Sequence, residues 1–305
     1  MQLIGENIHI ISKKTREAIE AKDKNYIVDY INRMIASNVD FIDLNIGPAR
    51  KTQGTMQWLA SIVREITELP ISFDTTNPLE MRSGLEFVKN PSDCIINSVS
   101  ADAQRLDNLL PLAQEFNSNL IALTLSDETG IPKEADARLE IAFNILEHTA
   151  EYGIENGKIY FDPLVLPIPV AQEQAIESLN AIRMFKESFD PPVLTTIGLS
   201  NISNGAPKEN RPLINLVFMV LAMGCGLDSA IVDAFDKELI RVHNMLVKQS
   251  PETDYDSLYV DLYNMMQNFE ELEDVSFDNN NEKQVAIYKT AQVLLNKNIY
   301  SHNYL

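Results

Sequence analysis

Short apolar runs alternate with longer amphipathic stretches along most of the chain. The runs are rich in Ile, Val, Phe and Thr, as buried strands are, and the stretches carry apolar residues at helical spacing. Eight strands are predicted, over residues 3–10, 41–46, 71–76, 94–99, 120–125, 159–165, 193–199 and 229–233. A helical segment follows each of them, over residues 15–37, 53–68, 78–89, 103–117, 134–152, 171–187, 212–224 and 236–248.

Such strict alternation requires parallel strands joined by right-handed crossovers. Eight strand–helix units in about 250 residues match the size of a closed barrel. The alternative, an open doubly wound sheet, is disfavoured because no G-x-G-x-x-G turn follows the first strand. We therefore predict an α/β fold, a (β/α)8 TIM barrel, with residues 1–305 forming one domain.

An acidic segment, residues 249–282, interrupts the alternation before the last helix at 284–295. It holds ten of the 44 acidic residues of the chain and no Lys or Arg. Apolar positions at 258–260 and 262–263 indicate one amphipathic helix within it rather than disorder. We interpret the segment as a surface insertion, and the alternative interpretation is a docking element for a partner.

The net charge argues against two classes of partner. Lys and Arg number 25 and Asp and Glu number 44, so the net charge is −19. A surface this acidic repels phosphate backbones and anionic lipids, and we expect no nucleic acid and no membrane partner. No apolar run reaches the roughly 20 residues that span a bilayer, and the N-terminus lacks the order of a secretion signal. With Cys94 and Cys225 both in apolar contexts, we expect a cytoplasmic protein with two core thiols.

Polar residues stand where the predicted strands end. In a barrel of this kind the loops that follow the strands converge on one rim, and the chemistry sits there. Seven of the eight strands end on carboxylates or carboxamides, which are Glu6, Asn7, Asp43, Asn45, Asp74, Asn77, Asn97, Asp162, Asn201 and Asp233. One Asp at a strand end is usually a helix cap. Seven such ends on one rim would leave many polar groups unsatisfied unless a polar ligand paired with them.

The residue types narrow the class of ligand. No His cluster has metal-ligand spacing, so we expect no metal bound by this chain, and no Lys stands at these ends to form a Schiff base. A carboxylate accepts two parallel hydrogen bonds, and a carboxamide both donates and accepts. This combination suits a flat heterocycle with N–H edges and a carbonyl, and a pterin is such a ring.

Seven motifs give the chain a family resemblance. They are DLNIGPA at 43–49, FDTTN at 73–77, INS at 96–98, DPLVLP at 162–167, GLSNIS at 198–203, NRPLIN at 210–215 and GLDSAIVDAFD at 226–236. On these motifs the chain resembles the methyltetrahydrofolate:corrinoid/iron-sulfur protein methyltransferases, members of the pterin-binding, dihydropteroate synthase-like superfamily. The resemblance covers residues from the first strand to 247 and again 291–300, and the acidic segment has no counterpart in it.

The resemblance implies a set of residues that contact the folate, which are Asn45, Asp74, Asn97, Asp162, Asn201, Asn204 and Arg211. Of these, Asp74, Asn97 and Asp162 would hydrogen-bond the pterin ring. Asn201 would lie close to the N5 atom. Asn204 stands where relatives carry a longer Gln, in a loop about two residues longer than theirs, so its contacts are the least defined of the set.

The reaction that the resemblance implies is transfer of the N5-methyl group of methyltetrahydrofolate to the cob(I)amide of a separate corrinoid protein. The chain lacks the D-x-H-x-x-G cobalamin signature, so the cobalamin is expected on that partner. N5 leaves readily only when it is protonated. Asn201 cannot supply a proton, but it can hydrogen-bond N5 more strongly as charge develops, with the proton coming from solvent through a side-chain network. The family also implies a homodimer.

Three alternatives remain open at the level of sequence. The same methyl chemistry serves the acetyl-CoA pathway, with an iron-sulfur corrinoid partner, or O- and N-demethylation, where another corrinoid protein hands the methyl group to tetrahydrofolate. A dihydropteroate synthase would need a basic anion site near strand seven or eight, where this chain reads GLSN and IVDAFD. A non-catalytic folate-binding barrel would keep the carboxylates and lose the residue at N5.

Overall fold

A ring of parallel strands forms the centre of the molecule. The computed structural model describes residues 1–49 and 53–305. The strands are β1 Gln2–His9, β2 Phe41–Gly47, β3 Ile71–Thr75, β4 Ile95–Val99, β5 Asn119–Leu123, β6 Ile159–Asp162, β7 Leu194–Thr195 and β8 Ser229–Val232. They pair in the order β7-β6-β5-β4-β3-β2-β1-β8, and a parallel bridge between Gly198 and Ile231 joins the two ends. The predicted (β/α)8 barrel is confirmed.

Helices surround the ring of strands. They are α1 Lys13–Glu20, α2 Lys24–Ala36, α3 Thr55–Ile66, α4 Pro78–Phe87, α5 Ala103–Phe116, α6 Ala135–Glu151, α7 Ile168–Ala171, α8 Glu173–Ser188, α9 Arg211–Gly224, α10 Lys237–Lys248, α11 Asp256–Asn268 and α12 Glu282–Leu294. Side chains that accept hydrogen bonds from first-turn N–H groups fix several starts, among them Asp23, Asn77 and Asp236. The predicted helical segment 15–37 is two helices, because Lys22 takes a left-handed φ of 53° and Asp23 starts a new helix.

The seventh strand is shorter than its sequence predicts. The apolar run 193–199 predicted a strand ending at Ser200 and Asn201, but β7 contains only Leu194 and Thr195. The chain then makes single contacts with β8, where the N–H of Ile231 donates to Ile197 O at 2.9 Å, and enters a 3-10 turn at Leu199–Ser203. The 3-10 turn forms in place of a longer strand, and it is stabilised by the Asn201 N–H, which donates to Gly198 O at 3.2 Å. Asn201 therefore lies on a turn after the strand.

The acidic segment holds a packed helix. Helix α11 buries Leu258, Tyr259 and Leu262 and lies against α9. The approach is close at Gly224, where an added Cβ would lie 2.5 Å from the Tyr263 carbonyl oxygen. The start of α11 is fixed by the buried Asp256, whose carboxylate accepts two hydrogen bonds from the Arg241 guanidinium at 2.8 and 2.9 Å. The acidic segment therefore contains an amphipathic helix, α11, that buries one face against the barrel.

Two further sequence expectations concern the chain as a whole. Within residues 1–49 and 53–305, no helix is both long and apolar enough to cross a membrane. Cys94, just before β4, and Cys225, just after α9, are both buried free thiols. They pack in the core, as their apolar sequence contexts predicted.

Candidate active site

The strands place apolar residues and polar residues in successive layers inside the barrel. Side chains alternate between the two faces of a strand, so residues i and i+2 point the same way. Five interior residues form one apolar cluster, Ile4, Phe41, Ile95, Ile121 and Tyr160, with Ile231 packed against it. Two residues further on, five of the six strand faces carry a polar residue, Glu6, Asp43, Asn97, Asp162 or Asp233, and the sixth carries the apolar Leu123. The apolar layer closes the floor, and the polar layer above it lines an open bowl.

The bowl has the size of a small-molecule site. Its volume is about 650 Å³, within the range of roughly 300–1,000 Å³ that is usual for ligand cavities. Six of the seven residues predicted to contact the ligand line it, which are Asn45, Asp74, Asn97, Asp162, Asn201 and Asn204. They come from β2, β3, β4, β6 and the loop after β7. The structure thus brings together residues that lie up to 159 positions apart in the chain, from Asn45 to Asn204.

Arg211 lies outside the bowl. It is the first residue of α9, its Nε donates to the Ala206 carbonyl oxygen at 2.8 Å, and it lines a second cavity of about 320 Å³. The two cavities share Ser200, Asn204 and Asp233 on their walls. The second cavity, beside Arg211, therefore adjoins the bowl at its rim and not at its floor.

Hydrogen bonds fix the orientation of the side chains on β2, β3 and β4. The Asn45 Nδ2 group donates to the Asp74 carboxylate, and Asn45 Oδ1 accepts from the Gly47 N–H at 3.1 Å. Asp43 accepts from Ser72 Oγ at 2.6 Å and from Asn97 Nδ2 at 3.5 Å. These bonds fix the side chains, and the described lining of the bowl contains no Lys or Arg. The nearby Arg105 and Arg138 act on the carboxyls from outside that lining, lowering the pKa of Asp74 and of Asp162 against the effect of burial.

Burial keeps protons on these carboxyls to an unusually high pH. For Asp74 it raises the pKa to about 7, against the hydrogen bond from Asn45. For Asp43 it raises the pKa well above the ordinary value, and repulsion from Asp74 adds to the effect. For Asp162 it raises the pKa to about 6, although the Leu164 N–H donates to the carboxylate at 2.7 Å. Such shifts mark candidate functional sites, because a charged group there is poorly solvated until a ligand pairs with it.

Several residues of the bowl were not in the predicted contact set. Glu6 accepts a hydrogen bond from the Ser200 hydroxyl, and burial together with repulsion from Asp233 and Asp74 raises the Glu6 pKa to about 7. Asp233 accepts from Asn7 Nδ2 at 2.6 Å. Glu6 lies within β1 and Asp233 directly follows β8, and each lies two residues after an apolar residue of the barrel interior, Ile4 or Ile231. That spacing is the signal that could have selected them.

Asn201 stands at the rim of the bowl and is exposed. A Cβ at position 198 would lie 2.9 Å from Asn201 Nδ2, so glycine at this position makes room for the amide. On its other side, Asn201 Oδ1 accepts from Asn204 Nδ2 at 3.4 Å. Gly198 on one side and Asn204 on the other thus position the Asn201 carboxamide at the rim of the cavity that the carboxylates line. Across the described lining, the arrangement offers many acceptors and a few amide donors, which is what a ring with several N–H groups requires.

Comparisons with known proteins agree on the class of fold and enzyme. The family model described as pterin binding enzyme matches residues 12–233. The chain is 29% identical over 243 residues to the methylcorrinoid:tetrahydrofolate methyltransferase of Eubacterium limosum, covering 79% of this chain and 88% of that protein. It is 33% identical over 244 residues to the methionine synthase of Mycobacterium tuberculosis, covering 76% of this chain but only 20% of that protein. These relatives confirm the prediction of a methyltransferase.

Solved structures of low sequence identity share the fold. Dihydropteroate synthase from Vibrio fischeri superposes with a TM-score of 0.56 at 16% identity, covering 82% of this chain and 94% of that one. Dihydropteroate synthase from Xanthomonas albilineans, crystallised with 4-aminobenzoic acid, gives a TM-score of 0.58 at 17% identity, covering 82% and 93%. At these identities the likeness concerns the barrel alone.

Proposed function

Because the chain belongs to the family of pterin binding enzymes, we propose that it moves the N5-methyl group between methyltetrahydrofolate and the cob(I)amide of a separate corrinoid protein. The observation that carries the proposal is the bowl itself, in which buried carboxylates and carboxamides from five segments of the barrel face one space with no cation of the described lining beside them. A pterin ring presents N–H groups and one carbonyl along its edge. It satisfies such a lining where an anionic ligand would be repelled.

In this proposal, Asp74, Asn97 and Asp162 hold the pterin ring. A carboxylate pairs with two adjacent N–H groups, and the Asn97 amide serves a carbonyl or an N–H. Binding of the ring also stabilises the ionised form of these buried carboxylates, because the N–H groups of the ring donate hydrogen bonds that water does not supply there. Part of the binding free energy therefore depends on these groups giving up their protons when the ring enters.

The chemical step needs a proton at N5, because a neutral amine leaves far more readily than an amide anion. When bound to the partner, the corrinoid supplies the nucleophile. Asn201 places its amide at N5 and forms a stronger hydrogen bond as charge changes there, which lowers the barrier without proton transfer from Asn201 itself. The pKa of Glu6 is raised to about 7, so Glu6 exchanges a proton near neutral pH, and its carboxylate accepts a hydrogen bond from the hydroxyl of Ser200, next to Asn201 in sequence. The pair Glu6 and Ser200 therefore provides a route for the proton from solvent.

The direction of transfer toward tetrahydrofolate is a second candidate. It is favoured by the name of the relative that the chain matches over 88% of its length, in which methylcorrinoid is written as the methyl donor. The same residues serve both directions, since Asn201 stabilises the same transition state. Initial rates measured from methyltetrahydrofolate and from methylated corrinoid protein decide between the two candidates.

Two alanine variants separate binding from chemistry. Asn201→Ala is expected to slow methyl transfer by about a hundredfold while the Kd for methyltetrahydrofolate changes by about threefold or less, since its bond matters most in the transition state. Asp162→Ala is expected to weaken binding by about tenfold or more, because a buried carboxylate that pairs with N–H groups is lost. Calorimetry gives the Kd, and stopped-flow spectroscopy of the corrinoid gives the rate.

The control is Asn144→Ala, an exposed asparagine on α6 far from the bowl, which leaves both quantities unchanged. If transfer by Asn201→Ala equals that of the wild type, Asn201 has no part in the mechanism. If none of the bowl variants alters binding, the folate does not lie in the bowl.

A further inference from the structure

A bulge in β1 turns His9 into the bowl. Ile4 and Glu6 face the interior of the barrel, as residues two positions apart on a strand do. The alternation then shifts, because the pairing of β1 with β2 is irregular between Gly5 and Ile8. Ile8 consequently packs in the large core cluster that includes the helices, and His9, the next residue, lines the bowl. Such bulges re-aim side chains beside functional sites, and this one adds a histidine to which the proposed function gives no role.

His9 belongs to a row of polar side chains that crosses four neighbouring strands. In the parallel register His9 is paired with Asn45, Asn45 with Asp74, and Asp74 with Asn97. All four residues line the bowl. The last three are members of the set predicted to contact the folate, and His9 continues their row by one strand. A ligand that lies along Asn45 and Asp74 therefore lies beside His9.

The backbone at the start of α1 determines which nitrogen of the His9 ring carries the proton. The Ser12 N–H donates to His9 Nδ1 at 3.3 Å and also to the His9 carbonyl oxygen at 3.2 Å. A ring nitrogen that accepts a hydrogen bond has no proton, so the neutral imidazole carries its proton on Nε2. Burial lowers the pKa of His9, against the opposite effect of the Asp233 carboxylate, and favours this neutral form. His9 therefore presents an uncharged N–H donor.

Other donors of the bowl already serve its carboxylates. The side chains of Asn7, Asn45 and Ser200 each donate a hydrogen bond to a carboxylate that also lines the bowl. The bond from Ser12 is the one side-chain hydrogen bond of His9 within residues 1–49 and 53–305, and it leaves Nε2 available. A ligand with a carbonyl oxygen or an unprotonated ring nitrogen needs such a donor, because an acceptor placed against carboxylates alone would be repelled.

We propose that His9 is a further substrate-binding residue, whose Nε2–H donates to an acceptor atom of the bound folate, a carbonyl oxygen or an unprotonated ring nitrogen. The inference rests on the proposed function. The carboxylates of the row take the N–H groups of the ligand, and His9 takes an acceptor beside them. The bulge in β1 and the Ser12 N–H hold the imidazole in the orientation and the tautomer that this contact requires.

Nitrogen-15 NMR of the imidazole rings tests the tautomer and the contact in the wild-type protein. The His9 signals are assigned by their loss in His9→Gln. We expect the Nε2–H tautomer in the free protein, and a shift of the Nε2 signal at saturating methyltetrahydrofolate while Nδ1 stays an acceptor. A proton on Nδ1 in the free protein, or His9 signals that do not move at saturation, overturns the inference.

A matched set of variants tests what the donor contributes to binding. We expect His9→Leu to raise the Kd for methyltetrahydrofolate by about fivefold or more, because the donor is lost. His9→Gln keeps an N–H donor on a side chain of similar reach and stays within about twofold of the wild type. The control is His148→Leu, on the outer helix α6, which leaves the Kd unchanged. Calorimetry gives each Kd, and circular dichroism verifies that each variant is folded.

A His9→Leu variant that binds as the wild type does, or a His9→Gln variant that binds as weakly as His9→Leu, overturns the role of His9. If His9→Leu does not fold, the NMR result on the wild type decides. Both measurements follow binding and not methyl transfer. A protein that shows the expected binding but transfers no methyl therefore contradicts the proposed function alone, and a wild type without affinity for methyltetrahydrofolate overturns both.

Discussion

Glu6 shows how one residue in the bowl links stability to function. Its folded pKa of about 7 exceeds the ordinary value of 4.5 because burial and two neighbouring carboxylates disfavour the charge. The folded protein therefore binds more protons than the unfolded chain between these two pH values. The free energy of unfolding contributed by Glu6 must fall as the pH rises through that window. The unliganded site is thus less stable at the pH where its carboxylates are ready to bind N–H groups.

We predict that Glu6→Gln is more stable than the wild type at pH 8, by on the order of 2 kcal/mol, because the neutral amide avoids the poorly solvated charge. The difference shrinks toward pH 5, where Glu6 holds its proton. Urea unfolding at both pH values measures it, with the exposed Glu17→Gln as the control. Parallel pH dependence in wild type and Glu6→Gln would show that Glu6 ionises normally.

Several residues of the bowl could be predicted from short polar motifs at the ends of the predicted strands. Asp74 and Asp162 follow clear apolar runs, and the structure brings both into the cavity. Glu6 and Asp233 were seen at strand ends but not selected, since no resemblance assigned them a role and the layering depends on which strand face points inward. The position of Arg211 could not be read from sequence, because it depends on the path of the loop between β7 and α9.

At the scale of elements, the order of strands and helices could be predicted and the ends of β7 could not. Apolar periodicity reports burial, and Thr196, Ile197 and Leu199 are buried although β7 ends at Thr195. The end of β7 is set instead by the backbone of the following turn, in which the Asn201 N–H donates to Gly198 O. That conformation is not visible in the apolar pattern. The short strand matters for the site, since it frees residues 199–203 to form the turn that carries Asn201 over the bowl.

Helix α11 gives the acidic segment a second testable property. We propose that it is an integral part of one domain, because Leu262 is fully buried against α9. Leu262→Ala is then expected to lower the free energy of unfolding of the whole protein by about 3 kcal/mol, through lost burial and a cavity. Gln267→Ala, on the exposed face of the same helix, is the control. Calorimetry that shows a separate early transition, with the main one unchanged, would make α11 an independently melting insertion.

At the scale of the whole molecule, the barrel separates two tasks. Its apolar interior layer and outer helices maintain the fold, and the ends of the strands with the segments after them hold the bowl. The carboxylates and carboxamides that line the bowl suit ligands that offer N–H groups. The shared fold with dihydropteroate synthases shows how the same barrel serves other reactions, because function follows the residues of the site rather than the fold.

Single-turnover methyl transfer to free cob(I)alamin tests the central claim most directly. Purified protein is mixed anaerobically with methyltetrahydrofolate and cob(I)alamin, and the visible spectrum of the corrinoid is followed. We predict conversion to methylcobalamin with an equal amount of tetrahydrofolate formed, at a rate that depends on the enzyme concentration and falls in Asn201→Ala. A protein that binds the folate but leaves the cob(I)alamin spectrum unchanged, or that condenses a pterin with 4-aminobenzoate instead, would contradict the proposed function.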